Sequence, residues 1–167
     1  MHIYFSTNAI PAENWERIHE YLDEFEGEIG LEIFPEYHKP CFEGALRKEL
    51  AYLEQMPCSL HGPYYESEYA VAGDSEEFRH SVELLRKTLE EVAPLHVSYM
   101  VYHHSNMVIR EEEKAQRLAY ARENYETVRK ICEEYGVPPV VENVTLGTLH
   151  KGLSLIHISE PTRPEPI

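Results

Sequence analysis

Two histidines and a glutamate each close a short, mostly apolar run: Cys58-Ser-Leu-His61, Tyr99-Met-Val-Tyr-His103 and Val140-Val-Glu142. Imidazole nitrogens and a carboxylate oxygen are donor types that can share one divalent ion, zinc or manganese, if the chain brings them to one point. A second carboxylate, Glu32, lies in the similar run Gly30-Leu-Glu-Ile-Phe34 and is open to two roles, substrate contact or a structural ion pair. Gly62-Pro63-Tyr64 follows His61 directly, and Tyr64, Tyr65 and Tyr69 either line a pocket or cover the loop. For His103 and its neighbour His104, strand alternation lets only one side chain point to a given face.

These residues can meet only if the runs that carry them are neighbouring strands. The chain alternates short β-like runs with longer amphipathic stretches, the pattern of parallel strands joined by right-handed crossovers. Ile3 to Ser6 reads as a first strand, followed by a helix opened by Pro11, with Trp15, Ile18, Leu22 and Phe25 at helical spacing and Gly27 at its end. Ile29 to Phe34 is the second strand, and Phe42, Leu46, Leu50 and Leu53 stripe the second helix. Pro57 opens the third strand, Cys58 to His61. Asp74 or Ser75 caps a third helix with Glu76 and Glu77 in its first turn and Phe78, Val82, Leu85, Leu89 and Val92 facing inward. Leu95 to Tyr102 is the fourth strand. Glu111 to Tyr135 is a long helix presenting Leu118, Tyr125, Val128, Ile131 and Cys132, stopped by Gly136 and Pro138, and Pro139 to Glu142 is the fifth strand.

An α/β chain of this kind is expected to be a partial (β/α)8 TIM barrel with about the first five strands and four helices, because a complete barrel takes roughly 250 residues. A doubly wound open sheet usually carries a glycine-rich first turn, and Ser6-Thr7-Asn8-Ala9 is not one. Residues 1–152 are expected to form the N-terminal half of the barrel. Residues 153–167 are expected to be a non-native tail, since Leu153 to Arg163 resembles an in-frame translation of a sequencing-library transposase adapter. The alternative is a native sixth strand over Leu153 to Ile158, which would leave only Thr145 to Gly152 for the preceding crossover.

Composition narrows the partners. With 30 acidic and 15 basic residues the formal charge is -15, which repels a phosphate backbone, so nucleic acid is disfavoured. No run of about 18 apolar residues occurs, and Met1 leads into His2-Ile3-Tyr4-Phe5 without a signal-peptide pattern, so no membrane association and a cytoplasmic location are expected. Cys41, Cys58 and Cys132 have no paired spacing and read as small, mostly buried residues. Two unpaired sheet edges and an exposed apolar barrel interior would favour self-association.

The ordered motifs resemble the xylose isomerase-like superfamily, which holds sugar isomerases and epimerases together with endonuclease IV, over residues 1 to about 150. His61-Gly62-Pro63-Tyr64 matches its third-strand His-x-Pro-Tyr, which supplies a metal ligand in the endonucleases. His103-His104-Ser105 resembles the fourth-strand His-Pro-Gly-Ser, with the first histidine aligned, and Val141-Glu142-Asn143 matches the fifth-strand Glu-Asn, whose glutamate binds metal in both branches. The resemblance implies a divalent ion, zinc or manganese, on His61, His103 and Glu142. It also implies Glu142 as a catalytic carboxylate, Glu32 and Tyr64 as contacts to a small sugar substrate, and a sugar isomerase or epimerase as the parent activity. The 167-residue chain itself would be inactive. The endonuclease alternative uses both histidines as zinc ligands, but Ser67 stands where its motif has Asn and His104 interrupts the fourth-strand element. A third reading is a binding fragment without chemistry.

Overall fold

The computed structural model describes residues 3–25 and 28–142. Asn143, His150 and the whole segment 153–167, where the tail and the alternative sixth strand were expected, lie outside the described residues, as do His2 and Gly27.

Among the described residues, five strands form one sheet: β1 (Ile3–Ser6), β2 (Ile29–Ile33), β3 (Cys58–His61), β4 (Val97–Tyr102) and β5 (Pro139–Val141). Every neighbouring pair is parallel, and the spatial order is β1-β2-β3-β4-β5. Strictly sequential order is what a closing barrel requires, whereas a doubly wound sheet reverses direction at a switch point. The sheet is therefore part of a (β/α)8 barrel, with β1 and β5 at its edges among the described residues.

The helices are α1 (Ile18–Glu24), α2 (Phe42–Leu53), α3 (Glu76–Val92) and α4 (Lys114–Glu134). Their apolar stripes pack on one face of the sheet, where Leu31, Ile33, Leu60 and Met100 are fully buried with Leu46, Leu53, Leu85, Leu89 and Val128. Ser75 is the cap of α3, its Oγ accepting from Phe78 N at 3.1 Å, so one orphan amide of the first turn is satisfied. In α4 the face that meets the protein is Ala121, Asn124, Val128, Ile131 and Cys132, while Leu118 and Tyr125 are half-buried. Asn124 donates to the carbonyls of Tyr69 and Val71 at 2.9 and 2.8 Å, tying the long β3–α3 loop to this helix.

The first crossover departs from the expected continuous helix. A 3-10 segment spans Ala12–Arg17, and Asn14 (φ -122°, ψ 24°) breaks it before α1 begins. Trp15 still meets Phe42 of α2 edge to face at 5.5 Å and Ile18 is buried in the core, but Phe25 ends exposed. Burial of the two anchors, not continuous helical geometry, decides this segment.

The opposite face of the sheet, which a closed barrel would enclose, is less apolar than expected. Ser6, Glu32 and Ser59 stand side by side in register across β1, β2 and β3, and the rings of Tyr4 and Tyr99 meet edge to face at 5.7 Å. No described helix is long and apolar enough to cross a membrane.

Candidate metal centre

His61 is the last residue of β3, and His103 and Glu142 are the first residues after β4 and β5. Parallel register carries all three to the same rim: His61 pairs with Val101, Tyr102 pairs with Val141, and Glu142 N donates to the Tyr102 carbonyl at 3.1 Å. One donor atom from each side chain lies within 4.8 Å of the other two. His61 and His103 are buried, and their rings meet edge to face at 4.8 Å, while the Glu142 side chain is half exposed toward the open rim.

His104 is also buried but stands outside this cluster, its carbonyl accepting from Tyr69 N at 3.2 Å. Adjacent residues in extended backbone point to opposite faces, and the geometry selects His103.

The imidazole hydrogen bonds decide which nitrogen faces the centre. His61 Nδ1 sits 2.7 Å from the Gly62 carbonyl, which can only accept, so Nδ1 carries the proton and Nε2 keeps its lone pair. Burial pushes the His61 imidazole below its ordinary pKa, and nearby His103 lowers it further, against the Gly62 hydrogen bond and the Glu142 charge. Neutral imidazole is the ligating form. His103 Nδ1 lies 3.1 Å from Asn106 Oδ1, and its Nε2 lies 2.6 Å from Glu142 Oε2.

Glu32 reaches the centre from β2. Burial raises its carboxyl pKa, a hydrogen bond with Ser6 lowers it, and the Glu142 charge raises it again. Tyr64 is half-buried with its ring 5.5 Å from that of His103 and 6.0 Å from that of His61. Three participants were not singled out from the sequence: Phe34, whose ring lies 4.4 Å from His61, Ser6, and Asn106. Phe34 and Ser6 could have been suspected as the last residues of apolar runs, whereas Asn106 has no pattern to mark it.

This donor set fits a divalent ion. Two imidazoles and one carboxylate are a known catalytic zinc set that leaves a coordination position open, and the ligand atoms of a tetrahedral ion stand about 3.3 Å apart, a spacing that small side-chain adjustments reach from the observed cluster. With the His103 ring proton on Nδ1, Nε2 and the Glu142 carboxylate oxygen are both acceptors, so their 2.6 Å approach calls for a proton or a cation between them.

No family model and no curated protein sequence matches the chain. Solved structures do match. A D-tagatose 3-epimerase-like protein aligns at 17% identity with a TM-score of 0.63, over 86% of this chain and 53% of its own. A Thermus thermophilus protein soaked with ZnCl2 aligns at 19% identity and TM-score 0.60, over 87% and 56%. A D-psicose 3-epimerase crystallised in the presence of D-fructose aligns at 16% identity and TM-score 0.55, over 86% and 52%. The chain thus spans about half the length of the structures it matches, and the likeness establishes the fold, a five-stranded part of a (β/α)8 barrel.

Proposed function

We propose that these residues are the N-terminal part of a metal-dependent sugar isomerase or epimerase, with the ion held by His61, His103 and Glu142. The observation that carries the reading is the convergence of these three donors at the C-terminal rim of adjacent strands, where barrels of this kind place their active sites. Zinc suits the two nitrogen donors better than manganese does. A bound divalent ion would polarise the vicinal oxygens of a sugar.

The chain's own residues supply the rest. Glu142 combines ligation with an exposed flank open to substrate, and is the carboxylate assigned to move the proton on carbon. Glu32, half-buried beside Ser6 with a raised pKa, is suited to hold a substrate hydroxyl by hydrogen bonding. Phe34 and Tyr64 wall the histidines on one side and exclude water from them. The similarity of fold to two epimerase-type structures and the acidic charge of -15 support a small sugar or sugar-like substrate over nucleic acid.

The two imidazoles also favour a second reading, a zinc phosphodiesterase acting on abasic DNA, because two histidines and a glutamate form a hydrolytic zinc set. A full-length barrel carrying these strands separates the two. Incubated with ketoses in D2O, the isomerase or epimerase incorporates deuterium at the carbon that loses its proton. Cleavage of an abasic oligonucleotide without ketose exchange would instead establish the phosphodiesterase. Failure of the chain to bind any divalent ion would remove both.

A further inference from the structure

We infer that Asn106 is the positioning residue that makes the centre a cation site, by fixing the tautomer of His103; this rests on the metal reading proposed above. Asn106 Nδ2 donates to the Tyr64 carbonyl at 2.8 Å, and since a carbonyl only accepts, the amide nitrogen must face Tyr64. Oδ1 is thereby turned to His103 Nδ1 at 3.1 Å. An amide oxygen also only accepts, so the proton of a neutral His103 belongs on Nδ1 and the lone pair on Nε2.

The consequence falls on the other side of the ring. Nε2 faces Glu142 Oε2 at 2.6 Å, and two lone pairs at that separation repel unless something positive stands between them. Without the Asn106 oxygen, the ring would move its proton to Nε2 and donate to Glu142, satisfying both groups internally. Asn106 blocks that neutral solution and leaves an electron-rich gap on which His61 Nε2 also converges.

One further contact steadies the loop that carries Asn106: Ser105 beside it donates to the buried carboxylate of Glu68 at 2.9 Å, while the Tyr64 ring packs on His103. Glu68 in turn accepts from Ala70 N at 2.9 Å, so the loops after β3 and β4 support each other around the histidine. Partners outside the ligand set that orient a ligating imidazole typically account for roughly 10–100-fold in metal affinity.

The test uses the full chain and three proteins: wild type, Asn106→Leu, which keeps the size but has no acceptor, and Asn106→Asp, which keeps an acceptor toward His103 while giving up the donor to the Tyr64 carbonyl. Zinc affinity is measured by competition with a chromophoric chelator. The His103 tautomer in the metal-free protein is read from long-range 1H–15N correlations of the imidazole nitrogens. The expected result is zinc binding roughly 10–100-fold weaker in N106L with the His103 proton moved to Nε2, and binding within a few-fold of wild type, or tighter, in N106D with the proton back on Nδ1. The His61 tautomer, held by its own backbone, should be the same in all three, which separates a tautomer switch from misfolding. Wild-type zinc binding that N106L leaves undiminished, or an unchanged His103 tautomer in N106L, would overturn the role of Asn106 alone. Absence of zinc binding by wild type would overturn the metal reading and this inference with it.

Discussion

Substituting Gly62 by alanine tests whether the strands beneath the centre are packed as closely as described. Gly62 follows His61 directly, and its N–H donates to the Val101 carbonyl at 2.7 Å, across to the strand that leads to His103. A Cβ at this position would stand 2.9 Å from that same carbonyl oxygen and 3.4 Å from Met100 Sδ. The methionine end can move, but the backbone oxygen is held by the sheet. Relief therefore requires β3 and β4 to part, adding an overpacking cost of about 1–3 kcal/mol to a weakened hydrogen bond of about 0.5–1.5 kcal/mol. The total, roughly 1.5–4.5 kcal/mol, corresponds to a fall in Tm of roughly 3–18 °C for a chain of this size. The displacement falls between the two histidines, so zinc affinity should drop with stability. Gly44 is the control: it lies in α2 with nothing within 4 Å of where a Cβ would stand, and alanine there should stabilise by about 0.5–1 kcal/mol. Urea titrations of both variants decide the matter. A G62A protein as stable as wild type would refute the close strand approach on which the site's geometry depends.

Glu142→Gln keeps the size of the side chain but removes its charge, and should weaken zinc binding at least about tenfold in a chelator competition while leaving the thermal melt of the metal-free chain nearly unchanged, because the group is half exposed. The thiols should divide sharply. Burial raises Cys58 to about 11 and Cys132 to about 12, leaving roughly one thiolate in a thousand or fewer at pH 8, whereas Cys41 is exposed. Iodoacetamide followed by mass spectrometry should therefore label Cys41 alone in the native protein, with the buried pair reacting as pH rises toward those values or on unfolding; early labelling of Cys58 would contradict the packing of β3.

Much of the architecture was legible in local pattern. Cys58 to His61 is short, apolar and opened by a proline, and it is a strand with those bounds; Ser75 followed by Glu76 and Glu77 marks the start of α3 where it occurs. Helical periodicity and strand alternation are properties of neighbouring residues, so they survive without knowledge of the rest of the chain. The same reasoning overran in the first crossover, where Ala12–Arg17 is a 3-10 segment kinked at Asn14 and the α-helix begins only at Ile18, although Trp15, Ile18 and Leu22 of the apolar stripe are buried.

Residue pattern alone was enough to order the strands and helices and to put His61, His103 and Glu142 at strand ends. Which groups meet was settled only on assembly: that His103 and not His104 joins the cluster, that Glu32 lies in register with Ser6 and Ser59, and that Phe34 covers His61. Asn106 is the plainest case. Nothing in its neighbours marks it, and its function follows from a carbonyl 42 residues earlier in the chain. Contacts of that kind depend on inter-strand register and the curvature of the sheet, which arise only when the strands have assembled.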